Sequence, residues 1–111
     1  MKSLRFKRKY FEMIRSGKKT MECRVNYPNL RSIKAGDKVK FFWERLSVIV
    51  EIIGVRKYAG FAEMLDKEKA EKLVPAMSKG RALAEYETIY PSKKVKQNKG
   101  VVVFEIKIVG E

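Results

Sequence analysis

The sequence predicts an α+β fold that is mainly β, a small barrel of about five to six mostly antiparallel strands with flanking helices. The predicted elements run strand, helix, three strands, helices, strand, an order that a regular parallel βαβ sheet would not give. The 111 residues contain no repeat or linker, which predicts one domain over residues 1–111. At 45% hydrophobic residues, the chain has enough apolar material for a core without disulfides or metals.

The first elements are a short strand and a helix. Residues 3–7 alternate between polar and apolar and predict the opening strand. Over residues 8–16, Tyr10, Phe11 and Ile14 share one helical face, and Gly17 is placed to end that helix.

A strictly alternating stretch follows and predicts a half-buried strand. One face carries the polar side chains Thr20, Glu22 and Arg24, and the other carries Met21, Cys23 and Val25. We expect the apolar face to enter the core and the polar face to look outward or into a groove.

The rest of the chain predicts a hairpin, several helices and a closing strand. The predicted segments are strands over residues 38–43 and 46–55, a helix or two over 61–73, a helix over 82–90 capped by Ser78, a lysine-studded loop over 92–100, and a strand over 101–108. Closing the sheet into a barrel would remove the exposed edges of such short strands.

The charge is strongly positive and unevenly distributed. Lys and Arg number 26 against 13 Asp and Glu, and residues 1–40 alone hold 13 basic and 3 acidic side chains. This concentration indicates a basic face that binds RNA or a phosphate-bearing, nucleotide-like ligand. A solvated surface, or the lysine-rich composition of heat-adapted proteins, is the alternative explanation.

The composition also excludes several kinds of site. Histidine is absent and Cys23 is the single cysteine, so we expect no metal site, no cofactor and no disulfide. No segment is typical of a signal peptide or a membrane span, which favours a cytoplasmic protein without membrane association. A protein partner and the oligomeric state stay open at this stage.

The most informative stretch is the one from Ser16 to Arg24. A helix ends, the chain turns at Gly17, Lys18 and Lys19 follow, and a strand presents Glu22 and Arg24 on one face. A guanidinium suits phosphate, and a carboxylate accepts from a base amino group. A surface ion pair of little energetic weight is the alternative, and the pattern does not decide whether Lys18 or Lys19 faces the cleft.

Several motifs in sequence order resemble the ASCH family. They are Ser16-Gly17-Lys18-Lys19-Thr20 with Glu22-x-Arg24, Gly36-Asp37, Tyr58 with Phe61, Ile89-Tyr90-Pro91, and Gly100-Val101-Val102-Val103. The resemblance covers nearly the whole chain and implies a PUA-like β-barrel with a cleft lined by a Gly-x-Lys-x-x-Glu-x-Arg motif. It also implies RNA binding through Lys18, Lys19, Thr20, Glu22 and Arg24.

One branch of that family implies an alternative function, hydrolysis of acylated cytidine, and other members of the family imply hydrolysis of RNA. The branch's lysine falls on Lys19, its threonine position is Glu22 here, and Glu71 is the acid nearest to its downstream glutamate position. In such an enzyme Lys19 would be the activated amine and Glu22 the general base.

Four further side chains are candidates for contacts with RNA outside the motif. Tyr27 and Tyr58 sit in segments predicted as loops, where a ring can stack on a base. Lys94 and Lys96 belong to the predicted lysine loop and can follow phosphates, although a solvated loop would have the same composition.

Overall fold

The computed structural model describes residues 1–111 and contains five strands and five helices. The strands are β1 (Lys2–Arg5), β2 (Met21–Val25), β3 (Lys38–Trp43), β4 (Leu46–Tyr58) and β5 (Val101–Gly110). The helices are α1 (Arg8–Arg15), α2 (Phe61–Lys67), α3 (Ala70–Leu73), α4 (Lys79–Ile89) and α5 (Ser92–Gln97), with a 3-10 turn at Pro28–Leu30. None of these helices has the length and apolarity that crossing a membrane requires.

All five strands form one sheet in the order β1-β3-β4-β5-β2. The pair β1–β3 is parallel and every other pair is antiparallel. The sheet curls into a half-barrel flanked by helices, and the predicted α+β class with a small, mostly antiparallel barrel-like sheet is confirmed. The helices occupy about as many residues as the strands, a larger share than the sequence pattern indicated.

The two faces of the sheet are covered by two separate apolar clusters. On one face, α1 packs through Phe11 and Ile14 against residues of β3, β4 and β5. On the other face, α2, α3 and α4 cover the apolar side of β2, which is Met21, Cys23 and Val25 as predicted. Because β5 lies between these clusters, its residues from Val101 to Phe104 are all buried.

Residues 92–97 form helix α5, and the prediction of a loop over residues 92–100 is wrong. Val95 is the one apolar residue among the lysines of this segment, so the sequence carries no amphipathic period. Pro91 begins the helix at its N-cap, and the Asn98 side-chain amide donates to the Lys94 carbonyl at the end. The predicted cap of α4 is confirmed, because the Ser78 hydroxyl accepts from the Arg81 N–H at 3.2 Å.

The curl stops short of closure by backbone pairing. Strands β1 and β2 are the two edges of the sheet and do not pair with each other. A side chain links them instead, since Arg24 of β2 donates from Nη2 to the Arg5 carbonyl at 2.6 Å. The candidate functional site lies at this junction.

Candidate functional site

A cavity of about 170 Å³ opens where β2 meets the segment between β1 and α1. The end of α4 and residue Val74 complete its wall. The lining combines four aromatic rings with five charged side chains: Phe6, Tyr10, Tyr86 and Tyr90, and Arg5, Lys7, Lys19, Glu22 and Arg24.

Lys19 is the most deeply buried charged residue of the site, with 2% of its surface exposed. The turn at Gly17, whose φ is +83°, redirects the chain after α1 so that Lys19 turns inward. Its ammonium meets three oxygens: the Met21 carbonyl at 2.7 Å, the Leu73 carbonyl at 2.5 Å and Glu22 Oε1 at 3.1 Å. Three acceptors match the three donors of a protonated lysine, so this ammonium is fully satisfied within the chain.

Glu22 lies between two cations. Lys19 contacts its Oε1, and Arg24 Nε contacts its Oε2 at 2.8 Å. Burial by itself raises the pKa of this carboxyl, but Lys19 and Arg24 outweigh burial, so the pKa lies below the ordinary 4.5. Glu22 is therefore an ionised acceptor at neutral pH, and a carboxylate with about four acceptor positions has room for another donor.

Arg24 joins the ion pair to the cavity. Its Nε is bound to Glu22, its Nη2 is bound to the Arg5 carbonyl, and its guanidinium carbon lies 4.6 Å from the centre of the Phe6 ring. Its Nη1 donates to no group of the chain. A guanidinium fixed at two nitrogens and open at the third is pre-oriented to bind an acceptor.

The aromatic walls are held by contacts behind them. The Tyr10 hydroxyl donates to Glu85 at 2.8 Å, and the Tyr86 ring stacks on Phe61 with ring centres 4.7 Å apart. The Tyr86 hydroxyl is buried and has no hydrogen-bond partner. Burial raises the pKa of Tyr90 to about 12, so this wall stays neutral at physiological pH.

Three of the predicted motif residues meet in the cavity and two do not. Lys19, Glu22 and Arg24 line it together, whereas Lys18 is exposed and outside it. The choice between the two lysines is thereby decided in favour of Lys19. Thr20 borders a separate groove, and its backbone N–H donates to the Lys72 carbonyl.

The four candidates outside the motif lie away from the cavity. Tyr27 packs between the two apolar clusters, and the Tyr58 hydroxyl donates to Glu68 at 2.5 Å. Lys94 and Lys96 are exposed on α5. No group of three or more Cys, Asp or Glu side chains comes together that could hold a metal ion.

The sequence analysis did not identify the aromatic residues of α4 or the basic residues before α1 that line the cavity. Tyr86 and Tyr90 have the spacing of a helical apolar face, which predicted only core packing. Arg5 and Lys7 were part of the basic N-terminal third without any sign that they border a cavity. The approach of α4 to the β1–α1 segment creates the site, and no local pattern records it.

The matches with known proteins agree with this architecture. The family model of the ASCH domain matches residues 4–109. The chain belongs to the ASCH family. This ASCH domain is 33% identical to the hypothetical protein PH0355, covering 98% of this chain and 100% of that one, with a TM-score of 0.87. No curated protein matches the sequence.

Two further solved structures share the fold. Protein PF0455 from Pyrococcus furiosus is 30% identical, with 97% of this ASCH domain and 96% of that chain covered and a TM-score of 0.78. An ASCH protein from Zymomonas mobilis is 13% identical over 95% of this chain and 65% of its own, with a TM-score of 0.63. At 13% identity, that likeness concerns the fold alone.

Proposed function

We propose that this ASCH domain binds RNA and that the cavity receives a phosphate or a base edge of the bound strand. ASCH domains are generally thought to bind RNA. The observation that carries the proposal is the unpaired Nη1 of Arg24 beside the ionised Glu22, inside an aromatic-walled cavity. Because about 170 Å³ is below the usual size of a small-molecule pocket, the cavity suits one small group of a larger ligand.

The lining offers the three kinds of contact that RNA recognition uses. Arg24 donates to phosphate oxygens or to base acceptors, and Glu22 accepts from a base amino group. Rings such as Phe6 and Tyr90 supply stacking surface. Arg5 and Lys7 border the cavity and extend its positive potential toward an approaching strand.

The positive charge supports the same function at longer range. The net charge of +13 is concentrated in the first third of the chain, which includes the segment that borders the cavity. Exposed Lys94 and Lys96 on α5 would add phosphate contacts outside the cavity.

Fluorescence titration of single-stranded RNA at several salt concentrations tests the proposal. We expect log affinity to fall linearly with log salt, with a slope of about −0.7 per phosphate neutralised. Arg24→Gln should weaken RNA binding more than the control variant Arg45→Gln. Arg45 is exposed in the β3–β4 turn, so its substitution removes the same charge at a position away from the cavity. Absence of binding at low salt, or equal effects of the two variants, would contradict the cavity as the recognition site.

The contacts of Lys19 and Glu22 do not favour the hydrolase alternative. A nucleophile or base needs a nitrogen that is free to approach a substrate, whereas Lys19 Nζ is held by two carbonyls and the Glu22 carboxylate at 3.1 Å or less. Glu22 is held between two cations, which lowers its basicity. We assign Glu22 to ligand binding and to holding Arg24 in position, and Lys19 to holding Glu22.

A further inference from the structure

Strand β5 extends beyond the strand that flanks it. The pairing of β2 with β5 ends at Met21 opposite Glu105, and the last bond between them is Ile106 N–H to the Thr20 carbonyl at 3.0 Å. β5 continues to Gly110, paired on its other side with β4. The pairing of β5 with β4 is regular from Ile106 to Ile108, and toward the end of β5 its register shifts only at Val109. Because backbone groups alternate in direction along a regular strand, the N–H and C=O of Ile108 point to the same side as those of Ile106, where no strand follows.

A groove of about 440 Å³ runs along this open edge. The groove is lined by Ile106 and Ile108 from one face of β5 and by Glu105 and Lys107 from the other face. A space that touches both faces of a strand must run along the edge of that strand. Its lining also includes Ile14 and Ile53, and Ile53 is 47% exposed. The groove therefore offers unpaired backbone groups together with apolar side-chain surface.

We propose that an acidic, extended segment of a partner protein binds in this groove as a sixth strand beside β5. Strand addition uses main-chain hydrogen bonds for affinity and alternate side-chain positions for specificity, and the edge at Ile108 supplies both. The stretch from Ile106 to Gly110 is about 16 Å long at the usual strand rise, which accommodates a short strand. The proposal is independent of RNA binding in the cavity.

The charges around the groove select the kind of partner. Lys107 is exposed on the strand itself, and Lys18 is exposed beside the turn that borders the groove. Glu105 is already paired with Arg56 at 3.0 Å. Glu51, which lies opposite Lys107 on β4, forms no ion pair with it, so Lys107 stays available to a partner's carboxylate. A second copy of this chain would bring another net charge of +13, whereas an acidic peptide brings the complementary charge.

A short fluorescein-labelled peptide of alternating Glu and Val is a suitable probe. A matched peptide with Pro at one central Val keeps the charge but cannot pair as a continuous strand. We expect the first peptide to bind saturably and to slow hydrogen exchange of the Ile108 amide, and the second to bind at least about tenfold more weakly. Equal binding of the two peptides, or unchanged exchange at Ile108, would overturn the proposal.

Two charge-reversal variants test the location. Lys107→Glu should weaken binding of the alternating peptide at least about tenfold, and Lys57→Glu should not, because Lys57 is also exposed but lies on β4 outside the groove. Equal losses in both variants would reduce the effect to net charge and overturn the proposal. RNA that displaces the peptide and protects the Ile108 amide would assign the groove to nucleic acid instead. If Lys107→Glu fails to fold, the exchange measurement on the unmodified protein decides.

Discussion

Two ionic clusters of this molecule each pair an arginine with glutamate, and they differ in what they leave unpaired. The cavity cluster consists of Lys19, Glu22 and Arg24, and the sheet-end cluster consists of Arg56, Glu68 and Glu105. In the sheet-end cluster Arg56 uses all of its nitrogens. Its Nε and Nη2 bind Glu68 at 2.5 and 3.0 Å, and its Nη1 binds Glu105 at 3.0 Å.

The cavity cluster has the opposite pattern. Lys19 is satisfied, whereas the Nη1 of Arg24, a residue that lines the cavity, has no partner within the chain. Burial differs as well, because the Arg56 side chain is 37% exposed whereas that of Arg24 is 19% exposed. A saturated arginine at the surface indicates a structural tie, and an unsaturated one fixed inside a cavity indicates a binding group.

The largest effect is expected from removing the carboxylate of the cavity cluster. Glu22→Ala leaves the Lys19 ammonium buried without its counter-ion, and breaking a buried pair in this way costs about 3–5 kcal/mol. Glu68→Ala should cost about 1 kcal/mol, because Arg56 can turn to water and keep Glu105. Urea unfolding measures both, and a loss in Glu22→Ala no larger than in Glu68→Ala would contradict this ranking.

Arginine-to-lysine changes separate binding from structure while keeping the net charge. Arg24→Lys should weaken RNA binding by about 1–3 kcal/mol. A lysine ammonium lacks the planar set of donors with which the Arg24 guanidinium binds Glu22, the Arg5 carbonyl and a ligand at the same time. Arg56→Lys should leave RNA affinity unchanged, since Arg56 is outside the cavity. Fluorescence anisotropy titration at one salt concentration compares the RNA affinities of the two variants. An unchanged affinity in Arg24→Lys would show that RNA is bound by non-specific electrostatic attraction and not by the cavity.

Acid unfolding distinguishes the two carboxylates by their surroundings. The pKa of Glu22 is below 4.5 in the folded chain, so the stability it contributes is full above that pH and is lost as pH falls through the folded pKa. The pKa of Glu68 is lowered too, with Arg56 and Tyr58 outweighing burial. Glu22→Gln should reduce the loss of stability in acid more than Glu68→Gln does. Arg56, the partner of Glu68, is partly exposed, so water screens that ion pair more than it screens the pair of Glu22 with the buried Lys19. Thermal melts from pH 7 down to the acid limb measure this, and the reverse order would contradict it.

The smallest effect is expected outside both clusters. Replacing Lys94 and Lys96 on α5 by Ala should weaken all RNAs similarly and reduce the salt slope by about 0.7 for each phosphate that is no longer neutralised. Salt titrations with two unrelated RNA sequences measure this. Weaker binding confined to one sequence would instead make α5 part of specific recognition.

The sequence by itself determined the order of elements and the faces of β2. Strict alternation from Thr20 to Val25 put Met21, Cys23 and Val25 into the core, because side chains of a strand alternate between its two faces. The motif from Ser16 to Arg24 also pointed to the ASCH family, which the match over residues 4–109 confirms. Both features depend only on residues that are close together in the sequence, so long-range packing does not alter them.

Only the tertiary structure decided which of these residues form a site. The Lys19 ammonium turns inward because it binds the carbonyl of Leu73, 54 residues away, and the spacing of Lys18 and Lys19 carries no trace of that hydrogen bond. Tyr86 and Tyr90 become cavity walls because α4 packs beside the segment after β1. Helix α5 could not be predicted because Val95 alone marks its packed side. Long-range packing creates burial and unpaired donors, and no periodicity within one element encodes either of them.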